Sequence, residues 1–255
     1  DPHSFEPAPA IAAAIAQADL ILVNGYNLEE GLLDVVEQNA SNESVLIAVS
    51  AGIDVDEHTH DDDAEDGHGH DEEAEVDHAA LSRAEGDPHL WLDVRHAMRY
   101  VENIRDTLIE LDPAHGDGYE ERAAGYLAEL QALDDRLVAQ ISDIAEGDRE
   151  LVVFHDAFQY FARAYSLELV AAVLPAGAQQ DPSAGALVEL IETIEAREVR
   201  VVFAEPQFSS TVLERIASEA GVEVGTLYSV YAGEVDTYIE MMEANGDALA
   251  ERAGS

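Results

Sequence analysis

Short apolar runs alternate with amphipathic stretches along this chain, and that rhythm admits few folds. Leu20-Ile21-Leu22-Val23, ended by Asn24-Gly25, and Val45-Leu46-Ile47-Ala48-Val49 are unbroken apolar runs of strand length. Such runs suit strands buried on both faces. Residues 8–17 read as an Ala-rich helix with Ile11 and Ile15 on one face, and residues 28–39 as a helix turning Leu28, Leu32, Val35 and Val36 inward. The second half repeats the pattern, with strands at 151–154, 167–174, 199–204 and 222–227 and helices at 156–165, 183–197, 209–220 and 235–252. Strands alternating with helices predict α/β architecture, in which parallel sheets are flanked by helices. Asp93 is placed as an N-cap before a helix carrying Ala97, Met98, Val101, Ile104, Leu108 and Leu111. Asp112-Pro113 and Asp181-Pro182 read as further helix starts. From Tyr119 the apolar positions Ala123, Tyr126, Leu130, Leu133, Leu137, Ile141 and Ile144 predict one helix of about seven turns. The expected organisation is two lobes joined by one long rigid helix: 1–112, a linking segment 113–147, and 148–255.

Charge prunes the functions open to such a fold. The chain has 55 acidic and 12 basic residues, a net charge of −43, and every basic residue is Arg. This surface repels phosphate backbones and anionic membranes, which excludes nucleic acid as a partner. A solvated acidic surface of this kind suits high salt and reads as a halophilic signature. No Cys is present, so thiolate zinc sites, iron–sulfur clusters and disulfides are excluded. Without Lys there is no Walker A lysine and no Schiff-base lysine. No apolar run approaches the ~20 residues that cross a bilayer.

Histidine is the remaining chemistry. Asp87-Pro88-His89-Leu90-Trp91-Leu92-Asp93 holds the single Trp, and its first three residues repeat Asp1-Pro2-His3. His155, in Phe154-His155-Asp156-Ala157-Phe158, follows the most apolar strand of the second half. In parallel α/β sheets ligands gather at the carboxyl ends of strands, so a site in the cleft between the lobes is expected. Three imidazoles plus water or a carboxylate suit tetrahedral zinc. An isolated histidine beside a helix start is, however, more often a hydrogen-bonded structural residue, and separations this long follow no metal-spacing rule. Residues 54–78 contain thirteen acidic residues and five histidines, His58, His60, His68, His70 and His78. The apolar pattern collapses there, so a mobile loop is expected, with weak auxiliary zinc capture as its role.

Three segments, Asp1-Pro2-His3-Ser4-Phe5-Glu6-Pro7, Asp87 to Asp93, and Phe154-His155-Asp156-Ala157-Phe158-Gln159-Tyr160, occur in an order that resembles the zinc/manganese solute-binding proteins of ABC transporters, the cluster A-I type. The resemblance continues through Leu111-Asp112-Pro113, Gln180-Asp181-Pro182-Ser183 and Phe203-Ala204-Glu205-Pro206-Gln207-Phe208, and ends near Tyr238, Met241 and Asn245. It implies a metal held by His3, His89 and His155, and about one βα unit before Asp1. Manganese-preferring relatives commonly use a carboxylate at the third position and a late Asp as the fourth. Here those positions hold His155 and Val230, which favours zinc by donor softness. The fourth position stays open to water, Glu205 or a loop histidine. Glu205 reads first as an outer partner orienting a ligand imidazole and second as a ligand itself. Asp156 reads as a helix cap and Trp91 as core; Tyr126 and Tyr160 fall on apolar faces.

What the resemblance implies is extracytoplasmic Zn²⁺ capture by a monomer anchored through a segment before Asp1, and delivery to an ABC permease and its ATPase, without catalysis. The same role for Mn²⁺ is the nearest alternative. A three-His zinc hydrolase or lyase is the alternative of another class, although HExxH and GxSxG are both absent. An adhesin or surface structural role forms a third class.

Overall fold

Each predicted apolar run forms a strand, and all pair in parallel. The computed structural model describes His3, Phe5 and residues 7–55, 76–174, 183–209, 211–233 and 235–253. The chain forms two units, residues 1–88 with 99–116, and residues 89–98 with 117–255.

The first unit contains α1 (Pro9–Ile15), β1 (Leu20–Val23), α2 (Glu30–Asn39), β2 (Val45–Ala48), α3 (His78–Ser82) and most of α4 (Val94–Leu111). Strands β1 and β2 pair in register Leu20↔Val45 to Val23↔Ala48. Its core gathers Val23, Leu33 and Ala48 with Ile21, Leu46 and Leu81. Leu33, not Leu32, is the fully buried leucine of α2. Asp93 caps α4 as expected, its Oδ1 accepting from Arg95 N at 2.9 Å.

The second unit holds α5 (Gly116–Ser142), β3 (Glu150–His155), α6 (Gln159–Ala164), β4 (Glu168–Leu174), α7 (Ala184–Ala196), β5 (Val201–Ala204), α8 (Thr211–Ala220), β6 (Glu223–Thr226) and α9 (Tyr238–Ala253). Its sheet runs β4-β3-β5-β6. The long helix is present and buries Ala123, Leu130, Leu133, Leu137 and Ile141 at helical spacing. It stops at Ser142, short of Ile144, and a 3-10 turn at Pro113–His115 precedes it. Val152, Val202, Ile194, Leu213 and Ile216 centre the core between sheet and helices.

Three cap assignments change. Asp112 makes no capping bond; its carboxylate pairs instead with His115 Nδ1 at 2.7 Å. Ser183 caps α7, accepting from Ala186 N at 3.2 Å, while Asp181 lies outside the described residues. Asp156 does not cap α6, because residues 156–158 form a turn and the N-cap is Phe158. Its Oδ1 accepts from Gln159 Nε2 at 3.0 Å. Within the expected loop 54–78, residues 56–75, with His58, His60, His68 and His70, lie outside the described residues. Its end is not loop: Asp77 caps α3, which starts at His78.

Candidate metal centre

Parallel register builds the second unit's part of this site. Val152 and Val153 of β3 face Val202 and Phe203 of β5. Carrying that register forward sets His155, the last residue of β3, level with Glu205, the residue after β5. Likewise Ala204 pairs with Thr226 of β6, which carries Gln207 alongside Ser229. The carboxyl edge of the sheet therefore gathers a histidine, a carboxylate, an amide and a hydroxyl, drawn from three strand ends.

Contacts on that edge are close. Glu205 Oε1 lies 3.6 Å from His155 Nδ1, and both side chains are almost fully buried, at 0% and 5% exposure. Glu205 Oε2 accepts from Gln207 Nε2 at 2.9 Å and from the Ser229 hydroxyl. Gln207 Nε2 also donates to Ser229 Oγ at 2.8 Å. A buried carboxylate needs such donors, since burial without them costs several kcal/mol.

His89 arrives on a separate segment of the same unit. It is 1% exposed and precedes a 3-10 turn, Leu90–Leu92, whose two leucines are fully buried. The approach to it is shaped by Gly86 at φ +151, where a Cβ would come within 3.0 Å of Val55 and Tyr26 side-chain carbons. Asn24 Nδ2 then donates to Pro88 O at 2.9 Å, and Tyr100 Oη donates to Asn24 Oδ1 at 2.7 Å. The His89 ring sits 4.8 Å from the His155 ring, edge to face, and 5.4 Å from Trp91. Phe208 closes the other side of His155 at 5.4 Å.

Trp91 is not the plain core residue the sequence implies. It is half-buried, and its Nε1 donates to Ser229 O at 2.7 Å. Tyr238 Oη donates to Trp91 O at 2.7 Å. Burial first, then the neighbouring Tyr165 phenol and Asp93 carboxylate, hold the Tyr238 phenol well above its ordinary range, so it remains a neutral donor. Asn245, fully buried on α9, grips Tyr228 from both sides: its Oδ1 accepts from Tyr228 N at 2.7 Å and its Nδ2 donates to Tyr228 O at 2.9 Å.

His3 is half-buried, and Phe5 O close by on the same segment passes over Gly31 of α2, where a Cβ would sit 2.5 Å away. Among the described residues, His3, His89 and His155 form a group able to hold a metal ion, each offering one ring nitrogen with all three within 4.8 Å of one another. The donor set is three imidazoles, which suits zinc in a four-coordinate site and leaves one position for water. Of the auxiliary histidines, His78 belongs to α3, where its Nδ1 accepts from Ala48 N at 3.3 Å. Tyr160 is buried as expected, stacked edge-on to His96 at 5.4 Å. The sequence offered no role for Ser229, Gln207 or Asn245, although Gln207 and Asn245 lie in segments that carry the resemblance.

The family model described as zinc-uptake complex component A, periplasmic, matches residues 1–252. The manganese-binding lipoprotein MntA of Halalkalibacterium halodurans is 31% identical over 255 residues, covering 98% of this chain and 76% of that protein. The high-affinity zinc uptake system protein ZnuA of Bacillus subtilis is 34% identical over 257 residues, covering 98% and 77%. Among solved structures, the periplasmic zinc-binding protein TroA of Treponema pallidum superposes with a TM-score of 0.81 at 25% identity, covering 99% of this chain and 87% of that one.

Proposed function

Because the chain belongs to the zinc-uptake complex component A family of periplasmic metal-binding proteins, we propose that it captures Zn²⁺ outside the cytoplasm and hands it to an ABC permease and its ATPase. The carrying observation is the donor set: His3, His89 and His155, with no thiolate available anywhere in the chain. Neutral imidazoles bind zinc well, and a set without a carboxylate ligand favours it over harder cations. On this reading Zn²⁺ is cargo, held by coordination alone, and the protein performs no turnover. Release follows a shift of the two lobes on docking that separates the donors. The matching family is described as periplasmic, and one relative is a lipoprotein. That supports an extracytoplasmic location. None of the helices among the described residues is long and apolar enough to cross a membrane.

Manganese is the second reading, favoured by the likeness to a protein named for manganese binding. Titrating metal-free protein with Zn²⁺ and Mn²⁺ against a chelator separates the two. Zinc is expected to bind at least about a hundredfold tighter, following donor softness and the Irving–Williams order. Equal or tighter manganese binding overturns the zinc assignment. Turnover of an ester or of CO₂ that disappears with His89→Ala would sink the transport reading in favour of a hydrolase or lyase.

The N-terminal ligand has its own test. Ala exceeds Gly in helix propensity by about 1 kcal/mol, so Gly31→Ala favours α2 locally. Its Cβ nevertheless collides with the Phe5 carbonyl and displaces the segment carrying His3. Zinc affinity is expected to fall about tenfold, the scale for disturbing a ligand's support, with helical circular dichroism unchanged. Affinity within twofold of the unaltered chain would remove His3 from the set.

A further inference from the structure

We propose that Ser229 is a positioning residue that ties His89 and His155 to one loop, so that movement of that loop loosens both imidazoles together. The inference rests on the metal-binding reading above and extends it to the control of release.

Ser229 is 2% exposed and reaches the His89 segment directly and His155 through Glu205, using different atoms. Its carbonyl accepts the Trp91 indole N–H at 2.7 Å, and Trp91 lies two residues from His89 with its ring 5.4 Å from the imidazole. Its hydroxyl donates to Glu205 Oε2. The other oxygen, Oε1, has no hydrogen-bond partner among the described residues and faces His155 Nδ1 at 3.6 Å. That separation is too long for a hydrogen bond but short enough to become one after a small approach. A carboxylate held there selects the tautomer with the proton on Nδ1, and so directs Nε2 outward as the metal donor. Gln207 keeps Glu205 bonded when Ser229 leaves, so the carboxylate need not be stranded without a donor. The loop itself is anchored at Tyr228 by Asn245 of α9 and ends beside Tyr231, which is 61% exposed. A partner pressing on this exposed face would therefore act on both histidines through one residue.

The test uses the full chain and zinc itself. Zinc affinity and dissociation rate are measured for the unaltered protein, Ser229→Ala, Glu205→Gln and the double variant, with Trp91 emission recorded in each metal-free form. Ser229→Ala keeps the backbone carbonyl, so Trp91 emission is expected to be unchanged. Affinity is expected to fall about tenfold or more, with faster dissociation, as for other outer partners of ligand histidines. If Ser229 acts through Glu205, the double variant loses no more than the worse single variant by more than about twofold. Unchanged affinity in Ser229→Ala, beside tight binding by the unaltered chain, overturns this inference alone. Fully additive losses overturn the route through Glu205 and with it the proposal. Should Ser229→Ala unfold, the Glu205→Gln dissociation rate decides: no acceleration overturns it. Failure of the unaltered chain to bind zinc overturns the metal-binding reading and this inference together.

Discussion

Replacing His155 with alanine is expected to lower zinc affinity by about two orders of magnitude while leaving the fold in place. Structural zinc sites bind with roughly 12 kcal/mol, and division over four donors assigns about 3 kcal/mol, or some two decades, to each. The fold should persist because the sheet's core is carried by Val152, Phe154, Val202 and Leu213 rather than by the residue at the strand's end. Position 156 supplies the control. Asp156 engages Gln159 and takes no part in the donor set, so Asp156→Asn should bind zinc within about twofold, as expected for a residue outside the ligand shell. A chelator competition titration on both variants checks the pair. His155→Ala binding within threefold of the unaltered chain would show that the ion, if bound, is held elsewhere.

Sequence patterning revealed five of the six strands because each holds a continuous apolar run of four to six residues, which has few other uses between polar breaks, whereas β6, Glu223-Val224-Gly225-Thr226, followed from the strand–helix rhythm. It located helix ends less well, for reasons visible in particular residues. Ala157 and Phe158 suit a helix face, yet they lie in a turn where Ala157 N bonds His155 O and Asp156 N bonds Leu174 O. Leu32 and Leu33 are chemically identical choices for the buried face of α2, and only packing against Val23 and Ala48 selects Leu33. Ser183 and Asp181 are both competent N-caps, and Ser183 takes the role on α7.

The candidate site divides along the same line. His155 and Glu205 were legible because each ends a buried strand, and strand ends are where parallel sheets collect ligands. Their juxtaposition was not, since it depends on β3 and β5 being neighbours although β4 intervenes in sequence. Ser229 was invisible for the same reason: its partner Glu205 is 24 residues away, and only the pairing of β5 with β6 brings the segments that follow them side by side. Trp91 was misjudged because a lone aromatic between two leucines looks like core, whereas its indole N–H needs an acceptor and finds one in Ser229 O.

The largest stability loss outside the apolar core is expected at Asn245. This amide sits in α9 at 0% exposure and satisfies both backbone groups of Tyr228. Asn245→Ala leaves an N–H and a C=O without their partner in a buried setting, at about 1–3 kcal/mol each. A total of about 3 kcal/mol corresponds to a fall in Tm of roughly 6–12 °C for a unit of this size. Asn245→Asp keeps the acceptor for Tyr228 N but replaces the donor to Tyr228 O with a second oxygen, setting two acceptors against each other. It should therefore be no better than alanine. Because Tyr228 precedes Ser229, both variants should also speed zinc dissociation, and thermal unfolding with and without zinc reads the two effects together. The metal-free Tm reports the lost bonds, and a smaller zinc-induced rise reports the weakened grip. An alanine variant that melts within 2 °C of the unaltered chain would mean that Tyr228 is held by something other than Asn245.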